Sequence, residues 1–318
     1  MSADQISWEN QACKSDGPHN YADVTENAGW LGTDRPVDEC LQAIFQHAGR
    51  LPVFMHIVGW HPQCLVHDIL HDDLLGVRLN ACGSSIILLA SRGWFGARQA
   101  GGKWQDALNV QLGEAYRRFK KWTKDHQVSH SVKRFKHTSF GLASLTDRPT
   151  VRAKGKNSAA VSLWIAAESR EASQSQALRG DHVITVLSNM LHGFSVLWCL
   201  YSSGCLKFVP RQVRQLQEAR SVALENYHWL ALHFSEHQAG KFESLFLIQP
   251  KLHKLDECLR CAARTAYNPG WHWTMADEDF IGMVARLVRT THRLTVNYRA
   301  MQRWLWTTFM NMGECSSS

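Results

Sequence analysis

The 318 residues contain no unbroken apolar run of the roughly 20 residues that a bilayer-spanning helix requires. The longest candidate, His182 to Tyr201, is interrupted by Asn189, His192 and Gly193, so it reads as a buried helix, and no membrane partner is expected. The opening MSADQISWENQACKSD has neither a basic leader nor an apolar core, and export is not expected. Alternating apolar and polar residues are scarce, which argues against a sheet protein. No fixed-period repeat occurs, and no low-complexity tract beyond the terminal serines. The glycine-rich stretch GWFGARQAGGKW lacks the spacing of a P-loop or a dinucleotide fingerprint and reads as a surface connection. Nothing marks a nucleophile elbow or an activated cysteine.

What is present is enough apolar residue, 45% of the chain, to bury a sizeable core. Nine cysteines without a leader are expected to be reduced thiols, in the cytosol or nucleus. The net charge of +7 is unevenly spread. Residues 1–91 hold 4 Lys and Arg against 11 Asp and Glu, residues 92–156 hold 15 against 4, and residues 157–318 hold 16 against 13. The middle block carries Arg117, Arg118, Lys120, Lys121 and Lys124, then Lys133, Arg134 and Lys136, then Arg152, Lys154 and Lys156, with Phe119, Trp122 and Phe135 interleaved. Clustered cations attract a polyanion by releasing its counterions, and aromatic faces among them can stack on exposed bases. DNA is therefore the expected partner, through contacts to its backbone. A solvated helix face is the plainer alternative.

Periodicity predicts a mainly α-helical, multi-helix globular domain behind an irregular N-terminal arm over residues 1–35. Residues 36–156 form a helical region containing the basic segment 92–156, residues 157–310 a C-terminal helical bundle, and 311–318 a tail. Helices are predicted from Pro36 to Gly49, within Ile69–Ser91, and over Trp104–His126, Asn157–Arg170, Asp181–Tyr201, Pro210–Gln238, Phe242–Tyr267, Asp277–His292 and Asn297–Met310. Leu51–Trp60, with Pro52 and Gly59, reads as extended or looped.

One constellation is dense in ligating side chains: His56, His61, Cys64, His67, Asp68, His71, Asp72 and Asp73. On a helix, His67 and His71 at i, i+4 would share a face and could hold Zn²⁺ with Asp68. The sequence is not a zinc-protease motif, since aspartate stands at 68 where the general-base glutamate would be. His253 with Cys258 and Cys261 reads as a helix with core thiols. Asp277, Glu278 and Asp279 precede an apolar stripe, as first-turn acids do. Alternatively Glu278 meets Asp68 and Asp73 to hold Mg²⁺ for phosphoryl transfer.

An ordered set of segments over roughly residues 50–310 resembles the C-terminal portion of a transposon-encoded family expanded in protist, especially dinoflagellate, genomes, distantly similar to CACTA-type (En/Spm-like) DDE transposases. The segments are His67-Asp68-Ile69-Leu70-His71-Asp72-Asp73-Leu74-Leu75-Gly76-Val77 followed by Gly83-Ser84, then Arg152-Ala153-Lys154-Gly155-Lys156-Asn157, Gln249-Pro250-Lys251-Leu252-His253-Lys254-Leu255, and Asn268-Pro269-Gly270-Trp271-His272-Trp273 with Asp277-Glu278-Asp279-Phe280-Ile281-Gly282. The resemblance implies DNA-related ancestry and an RNase H-like core with three carboxylates on two strands and a helix. The family's catalytic aspartates belong upstream of the Asp68 segment, where this sequence shows no persuasive strand. The leading expectation is thus a nuclear, catalytically incomplete DNA-associated protein. A metal-dependent transposase or nuclease using Asp68, Asp73 and Glu278 is the second reading, and a helical protein-interaction scaffold the third.

Overall fold

The computed structural model describes residues 10–14, 17–61, 67–96, 103–144, 146–237 and 245–274, with separate residues between 281 and 305. The fold is mainly α-helical, and the described residues include no β-strand beyond two isolated bridges, Cys13 with Asn20 and Lys207 with Tyr267. The paired-strand frame of an RNase H-like core is therefore not seen among them.

Among the described residues seven α-helices follow in order: α1 Val37–Ala48, α2 Arg78–Ser91, α3 Trp104–Asp125, α4 Gly155–Gln174, α5 His182–Tyr201, α6 Pro210–His237 and α7 Pro250–Thr265. Chain chemistry sets their ends. Gly49 closes α1 in the left-handed conformation, and the Asp181 carboxylate caps α5 by accepting from the backbone N–H of Val183 and Ile184. Pro210 and Pro250 open α6 and α7, where a missing N–H costs nothing. Residues 245–249 precede α7 as turn and coil, so the helix predicted from Phe242 starts later; Phe242 itself lies outside the described residues. Within Leu51–Trp60 the chain makes a 3₁₀ turn, Val53–His56. The helices predicted over Asp277–His292 and Asn297–Met310 fall mostly outside the described residues.

The core centres on α5, whose Ile184, Leu187, Met190, Leu191, Phe194 and Leu197 are all fully buried. Each such side chain contributes about 1.5–3 kcal/mol by leaving water. α5 packs on α4 and α6, and the pairing with α6 is antiparallel: His182 meets Trp229 edge-on while Gly193 lies against Ala219 and Ala223. A Cβ at Gly193 would stand 2.7 Å from the Ala223 nitrogen, so glycine permits this close crossing. Among the described residues two helices, Leu70–Ser91 and His182–Tyr201, are long and apolar enough to cross a membrane, and both are mostly buried within the fold.

Ahead of α2 the chain makes a π-helical segment, Leu70–Val77. Its displaced carbonyls are met from outside: Ser158 Oγ donates to Leu74 O at 2.6 Å and Lys251 Nζ to His71 O at 3.0 Å. The widening ends at Gly76, whose dihedral angles leave the helix and where a Cβ would meet His71 O at 2.6 Å. The described residues of the arm, 10–14 and 17–35, fold in turns. The arm is fastened to α6 and α7, with Arg220 donating to Val24 O at 2.7 Å and Arg260 to Thr25 O at 2.6 Å.

The chain divides into Met1–His272 and Trp273–Ser318. Within the first unit α2 and α3 both pack on α4, so packing runs across position 156 without a break.

Candidate nucleic-acid interface

The basic segment is organised by the return of the chain along α3. One side of that helix, Leu112, Ala115 and Phe119, is buried, as i, i+3, i+7 spacing dictates. After the C-terminal His126, Gln127 takes a left-handed φ of 54° and the chain reverses. Val128 N then donates to Thr123 O at 2.8 Å, His130 packs its ring on Phe119, Val132 O accepts from Tyr116 Oη at 3.0 Å, and His137 N donates to Asn109 Oδ1 at 2.9 Å. Residues 128–137 therefore run antiparallel beside α3. Phe135 turns inward among Phe119, Phe140 and Trp164, leaving Lys133, Arg134 and Lys136 outside.

A second tie brings in α4. Asn157 Oδ1 accepts from Ser131 N at 2.9 Å and its Nδ2 donates to Ser131 Oγ at 2.8 Å. The flanking Lys154 and Lys156 are exposed. Cations more than 30 positions apart, Lys120, Lys124, Lys133, Arg134, Lys136, Lys154 and Lys156, thus lie on three segments bound side by side. All seven are exposed, and none pairs with a carboxylate among the described residues. Lys120 and Lys124 also border a shallow recess of about 490 Å³, with Ser129 and His130 on its far side.

The other three predicted contacts are engaged. Arg117 holds Glu114 through two hydrogen bonds of 2.7 and 2.6 Å, and Lys121 holds Asp125 at 2.7 Å. Arg118 is half-buried between Glu114 and Glu168, its guanidinium over the rings of Trp94 and Phe95. Hydrogen bonds from these partners hold the Glu114 and Asp125 carboxyls below their usual range, against burial. Backbone N–H groups of Ser144 and Ala143 do the same for Asp147.

Two of the three aromatic residues expected to stack on bases are turned into the core. Phe119 and Phe135 are 0% and 3% exposed, and Tyr116 is tied down by its hydroxyl. Trp122 is half-buried and stacked on His126. Sequence reading overlooked Gln127 and Asn157; the former gave no signal, and the latter stands within the Lys154–Asn157 segment as an unremarkable amide.

The metal candidates His67 and His71 are held by different partners. His67 precedes the helical segment, so no i, i+4 pairing with His71 arises. Its ring faces Asp72 at 3.7 Å and Glu257 at 3.4 Å, while His71 pairs with Asp68 at 2.5 Å. Asp68 also accepts from Leu70 N. Asp73 is fully buried and clasped by Arg78. No group of three ligating side chains suited to a metal ion occurs among the described residues. Glu278 lies outside them.

Around Glu257 a different cluster forms that sequence reading missed. Burial works to raise its pKa, but the imidazoles of His253 and His67 hold it down to about 2. His253 lies 3.3 Å away, within ion-pair reach though off hydrogen-bond alignment, and its ring meets Trp30 edge-on. Asn10 donates its amide to the same carboxylate. The neighbouring Cys258 thiol is raised by burial, as an inert core thiol.

Comparison of the chain with protein-family models, with curated proteins and with solved structures finds no match.

Proposed function

We propose that this chain is a transposon-derived, DNA-associated helical protein that grips the phosphate backbone through the Lys120–Lys156 flank and has no strand-transfer chemistry of its own. The observation that carries the reading is the folding back of residues 128–137 along α3, which gathers seven unpaired cations. Phosphate contacts position a protein on DNA without reading its sequence, and Phe119 and Phe135, which could have stacked on bases, are buried here. Binding is thus expected to be indifferent to base sequence. The carboxylate reading has less support, because Asp73 is committed to Arg78 and Asp68 to His71.

The test is duplex binding by fluorescence anisotropy over a salt series, with and without Mg²⁺. Neutralising about five to seven phosphates gives a slope of log K against log salt of roughly −4.5 to −6.3. Mg²⁺ acts only as a competing counterion. A slope near zero, or no binding at low salt, overturns the proposal and leaves the scaffold reading.

A further inference from the structure

An exposed aromatic surface with cations around it lies where the chain leaves α7. The segment ahead of α6 runs antiparallel to this exit: Phe208 N donates to Ala266 O at 2.7 Å and Asn268 N to Leu206 O at 3.0 Å, and Lys207 is bridged to Tyr267. We propose that this surface binds single-stranded nucleic acid, one base stacking on the Trp271 indole while Lys207, Arg211 and Arg264 meet neighbouring phosphates.

Trp271 supplies the stacking face. It is 57% exposed, and its ring is held in place because Nε1 donates to Cys205 O at 3.0 Å. The turn beneath is equally fixed: the Asn268 side chain accepts from Gly270 N at 2.9 Å and donates to Tyr201 O at 3.1 Å. Exposed Leu206 and Val209 extend the apolar surface beside it. A large ring kept rigid in water loses little freedom when a ligand covers it, which marks such a patch as a binding surface.

The surrounding charge selects a polyanion. Lys207 lies over the Tyr267 ring at 4.7 Å, which holds its ammonium on this surface. Arg211 in the first turn of α6 and Arg264 in the last turn of α7 are exposed, as is His272. Against them stands the exposed carboxylate of Asp34, on the cavity rim that Arg264, Tyr267 and His272 share. The other α7 acids are engaged, Asp256 by Arg220 and Arg260, and Glu257 by Asn10, His67 and His253. On α6, exposed Glu218 follows exposed Arg214 at i, i+4 spacing. A flat indole among cations matches bases joined by phosphates, whereas an acidic peptide offers charge without a ring face. No residue is shared with the Lys120–Lys156 flank.

The test is fluorescence anisotropy of the full chain with an oligothymidylate of about ten nucleotides, and with an abasic phosphodiester of equal length and charge, at about 0.15 M salt. Phosphate contacts at the flank do not distinguish the two strands, so the ratio of affinities reports stacking. The abasic strand is expected to bind about tenfold more weakly. Trp271→Ala should remove that difference and Trp271→Phe keep most of it, both with wild-type circular dichroism and duplex affinity. Lys207→Gln with Arg264→Gln, at exposed positions, should weaken oligothymidylate severalfold, and carries the test should Trp271→Ala not fold. Neutralising the flank lowers both affinities and leaves their ratio, so failure of the duplex reading is told apart from failure of this one. Equal affinity for the two strands, a difference that survives in folded Trp271→Ala, its complete loss in Trp271→Phe, or unchanged affinity in Lys207→Gln with Arg264→Gln overturns the proposal. So does displacement of the oligothymidylate by an equimolar Leu/Glu peptide, which would point to a protein partner.

Discussion

Arg78 clasps Asp73 with two parallel hydrogen bonds, and both side chains are completely buried. The guanidinium also faces the ring of Phe194 at 5.2 Å. A carboxylate so held is a structural anchor between the π-helical segment and the first turn of α2, whose guanidinium lies on α5, and it has no oxygen turned toward a substrate. Breaking a buried pair from one side leaves the other charge uncompensated, which costs about 3–5 kcal/mol.

Asp73→Ala is therefore expected to lower the unfolding free energy by about 3–5 kcal/mol. The double variant Asp73→Leu with Arg78→Met should recover most of that loss. Chemical denaturation checks both. A single variant as stable as wild type would show that the pair is not an anchor.

Gly193→Ala introduces a methyl 2.7 Å from the Ala223 nitrogen and 2.9 Å from the Ala219 carbonyl oxygen. Alanine normally improves a helix by about 1 kcal/mol over glycine. Overpacking against backbone costs about 1–3 kcal/mol, so the clash wins and α5 must move away from α6. Thermal unfolding should show a lower Tm; an unchanged or higher Tm contradicts the close crossing.

The pH dependence centres on Glu257. Its folded pKa of about 2 lies below the ordinary value of 4.5, so the stabilisation is fully present above about pH 4.5 and is lost as pH falls toward 2. The amount is on the order of 3 kcal/mol. Other paired carboxylates, Glu114 and Asp125 among them, lose stability in the same window. The contribution of Glu257 is isolated by comparison with Glu257→Gln, which should show a shallower loss between pH 5 and 3. Parallel curves for the two proteins contradict the assignment.

Helix content and order were legible because apolar spacing is local: Leu112 and Phe119 mark α3, and Asp181 its own cap, without knowledge of neighbours. The π-helical segment was not, because it depends on Ser158 and Lys251, distant residues that satisfy its carbonyls. The His67 and His71 spacing misleads for a different reason: His67 lies in the coil before the helix begins. Net charge in the basic block was visible by counting, but which cations are spent was not. Arg118 finds Glu168 fifty positions away, and Phe135 alternates with lysines in sequence while turning into the core in space. The Glu257 site joins Asn10, His67 and α7, separations that no spacing pattern reports.

The central claim, that unpaired cations on one flank carry DNA binding, is tested most directly by two sets of charge reversals in the same anisotropy assay. Lys120→Glu, Lys124→Glu, Lys133→Glu and Arg134→Glu together should abolish duplex binding at physiological salt. Arg117→Glu with Lys121→Glu, cations already neutralised by Glu114 and Asp125, should weaken it only severalfold. Equal loss from both sets would show that bulk charge matters and the gathered flank does not; unchanged affinity in the folded quadruple variant would remove the flank from DNA recognition altogether.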